Sequence, residues 1–165
     1  YQERERRTMK KDFTRDYATE AFRMYAAMNK PTYDEAVKMI YDRALKECEF
    51  KDPELANLAA ESAVTKATPT LLDIMAVEKT ISILHSGNKA HIAKAVSDVY
   101  FTQPTLPLRR GDISARVRRH SLEAFASERN IYLWLKEARL LFAALRGLRI
   151  SETDEAKYKV YSSKV

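Results

Sequence analysis

The residues best equipped for chemistry in this sequence are cations, and they are concentrated in one place. Residues 101–150 hold ten Lys/Arg (Arg109, Arg110, Arg116, Arg118, Arg119, Arg129, Lys136, Arg139, Arg146, Arg149) against four acids (Asp112, Glu123, Glu128, Glu137). Their surplus of +6 equals the formal net charge of the whole 165-residue chain, because the other 115 residues carry 19 bases and 19 acids. A localised positive field attracts phosphate. Nine of the ten bases are arginine, whose planar fork suits bidentate contacts to phosphate or guanine rather than simple solvation.

Groups for catalysis or metal binding do not show a comparable pattern. His85, His91 and His120 lack a carboxylate or cysteine partner at ligand spacing and are expected on the surface or at helix ends. The sequence has no Walker loop, no G-x-G-x-x-G, no H-E-x-x-H and no G-x-S-x-G. Asp34 and Glu35 read as helix-capping groups before they read as an acid/base pair. No catalytic residue, metal or cofactor is expected, and the protein is not expected to be an enzyme. The single cysteine, Cys48, excludes an intramolecular disulfide framework and suits a reducing compartment as a packed thiol. Without a signal peptide or an apolar run near the ~20 residues of a membrane span, the expected location is the bacterial cytoplasm, with no membrane partner. The start at Tyr1 suggests that an initiator methionine and more precede it.

Two helices are needed to position the cations. Over residues 127–146, Ile131, Trp134, Leu135, Ala138, Leu141, Phe142 and Leu145 recur at the spacing of a buried stripe. Ser127 stands at the N-cap position, with Glu128 at the positive helix end. On the opposite face Arg129, Tyr132, Lys136 and Arg139 fall at i, i+3, i+7 and i+10, a row of donors starting at the first turn. A shorter helix is expected from Gly111-Asp112, with Ile113 and Val117 inward and Arg116, Arg118 and Arg119 outward. Arg109 and Arg110 lie just ahead of it. Helix, short connection and amphipathic basic helix is the outline of a helix-turn-helix.

With only three glycines and five prolines, the chain is expected to be all-α. After a frayed lead-in over 1–11, helices are expected over about 12–29 and about 32–48, the second opened by a Thr32/Glu35 capping box. A third begins at Asp52-Pro53, with Leu55, Leu58, Ala59 and Ala63 inward. Pro69 interrupts the pattern, Thr70 restarts it, and Ile74, Val77, Ile81 and Leu84 carry a stripe to the stop at Ser86-Gly87-Asn88. A further helix spans 89–100. Pro104 and Pro107 place a linker at 102–108, dividing a charge-balanced helical module (12–101) from a basic helix-turn-helix domain (109–165). Residues 148–162 leave two readings open. One is a short β wing with Arg149, Lys157 and Lys159 near phosphates; the other is a helix capped by Ser151.

The motifs DIS-x-RV (112–117), SER-x-IY-x-WLKEAR (127–139) and LRGL (145–148) resemble the C-terminal helix-turn-helix of phage and mobile-element transcription regulators of the ArpU/RinA type. These are themselves similar to region 4 of sigma-70-class factors. The resemblance covers roughly residues 105–150. It implies that Ser127, Arg129, Asn130, Tyr132 and Lys136 lie at base edges or nearby phosphates, and Arg116, Arg118 and Arg119 on the DNA backbone. One departure from the pattern is the link Glu123-Ala-Phe-Ala126, which has no glycine for a tight turn. The expected function is that of a sequence-specific DNA-binding regulator of a phage or mobile element. It would be nucleoid-associated, with double-stranded DNA, RNA polymerase or another host protein, or a second copy of itself as partner. The alternatives are a protein-binding inhibitor or adaptor of a host nuclease or polymerase, and a phage packaging subunit.

Overall fold

Several helix starts in the chain are set by short polar side chains, while those at Thr68, Ala90 and Asp112 have no side-chain cap. Asp12 accepts from the Arg15 N–H and opens α1 (Phe13–Ala27). The Thr32/Glu35 capping box is made in both directions at the head of α2 (Tyr33–Glu47). Asp52 accepts from the Glu54 N–H, with Pro53 in the first turn of α3 (Pro53–Lys66). Ala67 alone separates α3 from α4 (Thr68–Ser86), so the restart comes slightly earlier than Thr70. Pro69 fits because its missing N–H falls in the first turn, where no intrahelical partner exists. Gly87 and the left-handed Asn88 (φ 62°) end α4. Then follow α5 (Ala90–Tyr100), α6 (Asp112–Ala124), α7 (Glu128–Arg146) and α8 (Glu152–Ser162). This is a computed structural model describing residues 12–49 and 51–162, all-helical with no strand among them. The lead-in at 1–11 and the last three residues of the expected basic domain lie outside the described residues. No described helix is long and apolar enough to cross a membrane.

The centre of the fold is α7, which packs against α1, α4, α5, α6 and α8. Its Ile131, Leu135, Ala138 and Phe142 are fully buried. They meet Phe22 of α1, Ile74 and Val77 of α4, and Val96 and Val99 of α5 in one cluster. Removing each such Leu, Ile or Phe from water stabilises the fold by about 1.5–3 kcal/mol. The Phe142 ring lies 5.5 Å from that of Phe22 and 6.4 Å from that of Tyr17. Alanines at 138, 143 and 144 are buried too, which lets neighbouring helices approach α7 closely.

This cluster runs across the expected boundary at 102–108: Val117, Ile131 and Phe142 share it with Phe22 and Val96. The proline segment is strapped to α1 by Arg23, whose buried guanidinium donates to the Leu106 carbonyl and to that of Pro104 at 3.5 Å. The charge break in the sequence is therefore not a packing break. A helix buried on nearly all sides over its last two turns needs more partners than α6 can provide.

Two details differ from the sequence pattern or complete it. Leu55 and Leu58 of α3 are exposed, and Ala60 is the fully buried residue instead. α3 packs chiefly on α2, where the Tyr41 hydroxyl donates to Asn57 Oδ1 at 2.8 Å. Over 148–162 the chain takes the helical one of the two readings. The Ser151 Oγ accepts from the Asp154 N–H, and Tyr158 is buried as α8 packs on α7.

Candidate nucleic-acid interface

The connection between α6 and α7 is three residues long and turns without glycine. Phe125 takes the left-handed conformation itself (φ 52°, ψ 36°), and the Ala126 N–H returns to the Ser121 carbonyl at 3.2 Å. Such a conformation costs a bulky residue roughly 1–2 kcal/mol, and the Phe125 side chain is 97% exposed. Ser127 then caps α7 by accepting from the Asn130 N–H at 3.2 Å.

From that cap, α7 presents Arg129, Asn130, Tyr132 and Lys136 to solvent, with Leu133 exposed among them. Arg139, one turn further on, is half-buried, and its Nη1 donates to the Tyr100 hydroxyl at 2.7 Å. Lys136 and Arg139 open into a groove of about 560 Å³, which also receives Arg15 from α1 and Arg149 from the α7–α8 link. Thr14 Oγ1 donates to the Arg149 carbonyl at 2.7 Å and holds the two walls together. Asp12 and Asp154 line the same groove, but each serves as acceptor for a backbone N–H or for Ser151 at a helix start. Four cations from three parts of the chain thus face one concavity that continues the exposed row of α7.

The remaining basic residues divide into outward and inward sets. Arg109, Arg110 and Arg119 are exposed, as is Arg118, 3.5 Å from Glu128. A surface pair of that kind contributes about 0–1 kcal/mol and leaves both side chains free to exchange partners. Arg116 is not on the surface: it is 8% exposed and its Nη1 donates to the Val99 carbonyl at 2.9 Å, clamping α6 to the end of α5. It is removed from the set of side chains able to reach a DNA backbone. His120 is likewise buried, at 2% exposure, with Nδ1 2.6 Å from Asp98 Oδ2. The inward stripe of α6 is Ile113, Arg116, Val117 and His120, an i, i+3, i+4, i+7 spacing in which two members are polar.

Arg146, counted in the basic segment, also points inward. Its Nε lies 2.7 Å from Asp73 Oδ1, and both Asp73 oxygens accept from the Tyr17 hydroxyl at 2.9 Å. Burial and the hydrogen bond to Asp73 push the Tyr17 phenol above its ordinary value. This network joins α1, α4 and α7. The external field is therefore narrower than the +6 surplus suggests. Sequence reasoning misses Arg15 in the groove and the exposure of Leu133 beside the basic row. Arg15 lies in the charge-balanced part of the chain and reaches the groove only through the packing of α1. Comparison with known protein families, curated proteins and solved structures finds no match for the chain.

Proposed function

We propose that the protein binds double-stranded DNA as a sequence-specific transcription regulator, with the amino-terminal half of α7 in the major groove. The observation that carries this reading is the exposed row Arg129, Tyr132 and Lys136, which starts at a capped helix end and runs into the groove holding Arg15, Arg139 and Arg149. Groove-reading helices contact base edges mainly through their first turns, so burial of the far end of α7 is compatible with docking. Arg129 and Asn130 have the donor geometry for guanine and adenine edges, and Leu133 suits a thymine methyl. Arg118 and Arg119 on α6, with Arg109 and Arg110 before it, take backbone phosphates. The regulatory role follows from the resemblance across residues 105–150.

The test is fluorescence anisotropy on random duplexes of roughly 30 base pairs, about three turns of DNA, at about 50 and 200 mM salt. Wild type is expected to bind with a steep salt dependence. Arg129→Ala/Lys136→Ala is expected to lose at least about tenfold in affinity and to flatten the slope by about 0.9 for each phosphate that is no longer neutralised. Equal binding and equal slopes for the two proteins would rule out the groove assignment.

A second reading rests on a separate observation. Phe125 and Leu122 are 97% and 74% exposed at the α6–α7 connection, beside the same arginines. Exposed apolar anchors rimmed by arginine fit a protein partner, as in an adaptor or inhibitor. That reading predicts a stoichiometric complex with one host protein, persisting at salt that abolishes DNA binding and lost in Phe125→Ala.

A further inference from the structure

We infer that Asp98, His120 and Glu123 form a binding site for one divalent transition-metal ion of the zinc class, bridging α5 and α6. Contrary to the expectation that His120 has no carboxylate at ligand spacing, Glu123 lies at i+3 from it on α6, which places the two side chains on one side of that helix. α5 brings Asp98 against them, so that one ligand atom from each residue lies within 4.8 Å of the other two. The imidazole is already oriented: it is 2% exposed, with Nδ1 2.6 Å from Asp98 Oδ2. Asp98 is half-buried and Glu123 exposed, so the carboxylates stand on the solvent side of the buried imidazole.

The donor set defines the class of ion. One imidazole nitrogen and two carboxylate oxygens suit zinc, cobalt or manganese better than calcium or magnesium, which favour all-oxygen shells. Bonds of about 2.0–2.2 Å hold tetrahedral donors roughly 3.3–3.6 Å apart. The observed separations, from 2.6 Å for the His120–Asp98 pair to a limit of 4.8 Å, lie on either side of that span. Closing the site therefore exchanges the His120–Asp98 hydrogen bond for bonds to the ion and needs side-chain shifts on the order of 1 Å. With three protein ligands, the fourth position is left to water or an external group. The ion would pin α6 to α5 beside the Arg116–Val99 clamp, steadying the helix that leads into α7. The site stands or falls independently of whether the basic face binds DNA.

The test is isothermal titration of the metal-stripped full chain with zinc chloride and, separately, magnesium chloride at neutral pH. Thermal melting with and without zinc and the visible spectrum of the cobalt-loaded protein accompany it. The expected result is saturable binding of one zinc per chain, a higher melting temperature with zinc, and little response to magnesium. Glu123→Gln, at an exposed position, is expected to leave the metal-free melting temperature unchanged and to weaken zinc binding by more than about tenfold. Asp98→Asn is expected to weaken it too. If Asp98→Asn does not fold, Glu123→Gln decides alone. Absence of one-to-one zinc binding by wild type overturns the site, as does binding that Glu123→Gln leaves unchanged. His120 and Asp98 would then form only a hydrogen bond between helices.

Discussion

The two halves of α7 are built from the same kind of helix and do opposite things. Up to Lys136, one side of the helix is open, with Arg129, Tyr132, Leu133 and Lys136 exposed and the other side on Ile131 and Leu135. From Leu141 to Leu145 every residue is buried. The difference shows how an exposed row of side chains can be carried on a rigid scaffold. The helix as a whole packs on α1, α4, α5, α6 and α8, so the exposed row has little backbone freedom left to lose in a contact. The same contrast separates the arginines. Arg129 faces solvent, whereas Arg146, near the other end, is a strut between Asp73 and the core.

The comparison is broken most severely from the buried half. Phe142→Ala removes a fully buried ring that touches Phe22 and Tyr17. It should destabilise the fold by about 3–5 kcal/mol, lowering the melting temperature on the order of 10 °C. A loss under about 1 kcal/mol would mean that α7 is not the centre of the core. Asp73→Ala comes next. It deprives both Tyr17 and Arg146 of their partner in a largely buried setting and should cost about 2–3 kcal/mol by denaturant melting. If Arg146→Met on top of Asp73→Ala recovers nothing, the penalty does not come from a stranded charge.

How much of this is legible in the sequence depends on whether the cause is local. Caps at Thr32, Asp52 and Ser127, and the stripes of α4 and α7, follow from spacing along one helix and stand in the structure as the sequence implies. Arg116 and His120 are expected outward or at a helix end only as long as charge is taken to mean exposure. What draws them in is the Val99 carbonyl and the Asp98 carboxylate on a neighbouring helix, which no spacing within α6 reveals. A spacing signal is nevertheless present, since both complete the Ile113–Val117 stripe. The leucines of α3 mislead for a different reason. In that helix the buried side carries Ala60, with Val64 packed against the core, and the leucines fall outside it. The α6–α7 link has no glycine, yet a tight turn forms because Phe125 takes the left-handed conformation. The cation Arg15 joins the groove through tertiary packing alone.

A smaller effect tests the cover over the buried half. Burial against α7 pushes the Tyr158 phenol up to about 12, with the carboxylates of Glu137 and Asp154 adding to the shift. The folded value exceeds the unfolded one near 10.0. The stability gained by keeping the phenol neutral is therefore complete below about pH 10 and is lost as pH rises through about 12. Urea midpoints measured up the alkaline range should fall more steeply for wild type than for Tyr158→Phe, which has no phenol to ionise. Parallel curves would mean that α8 does not hold this ring out of water.

The smallest stability effect belongs to the exposed half and is the most informative of the series. Arg129→Ala/Lys136→Ala touches no buried contact: both side chains are exposed and neither takes part in the core. Its melting curve should match wild type within about 0.5 kcal/mol, while its affinity for duplex DNA falls by at least about tenfold. A variant that is silent in folding and impaired in binding separates the row's function from its scaffold. Phe142→Ala should do the reverse: at a temperature where it remains folded, it should bind DNA nearly as well as wild type, because the row starts several turns away from the missing ring. If both variants instead lost stability and binding together, α7 would have to be treated as one cooperative unit, and its open half could not be assigned a role of its own.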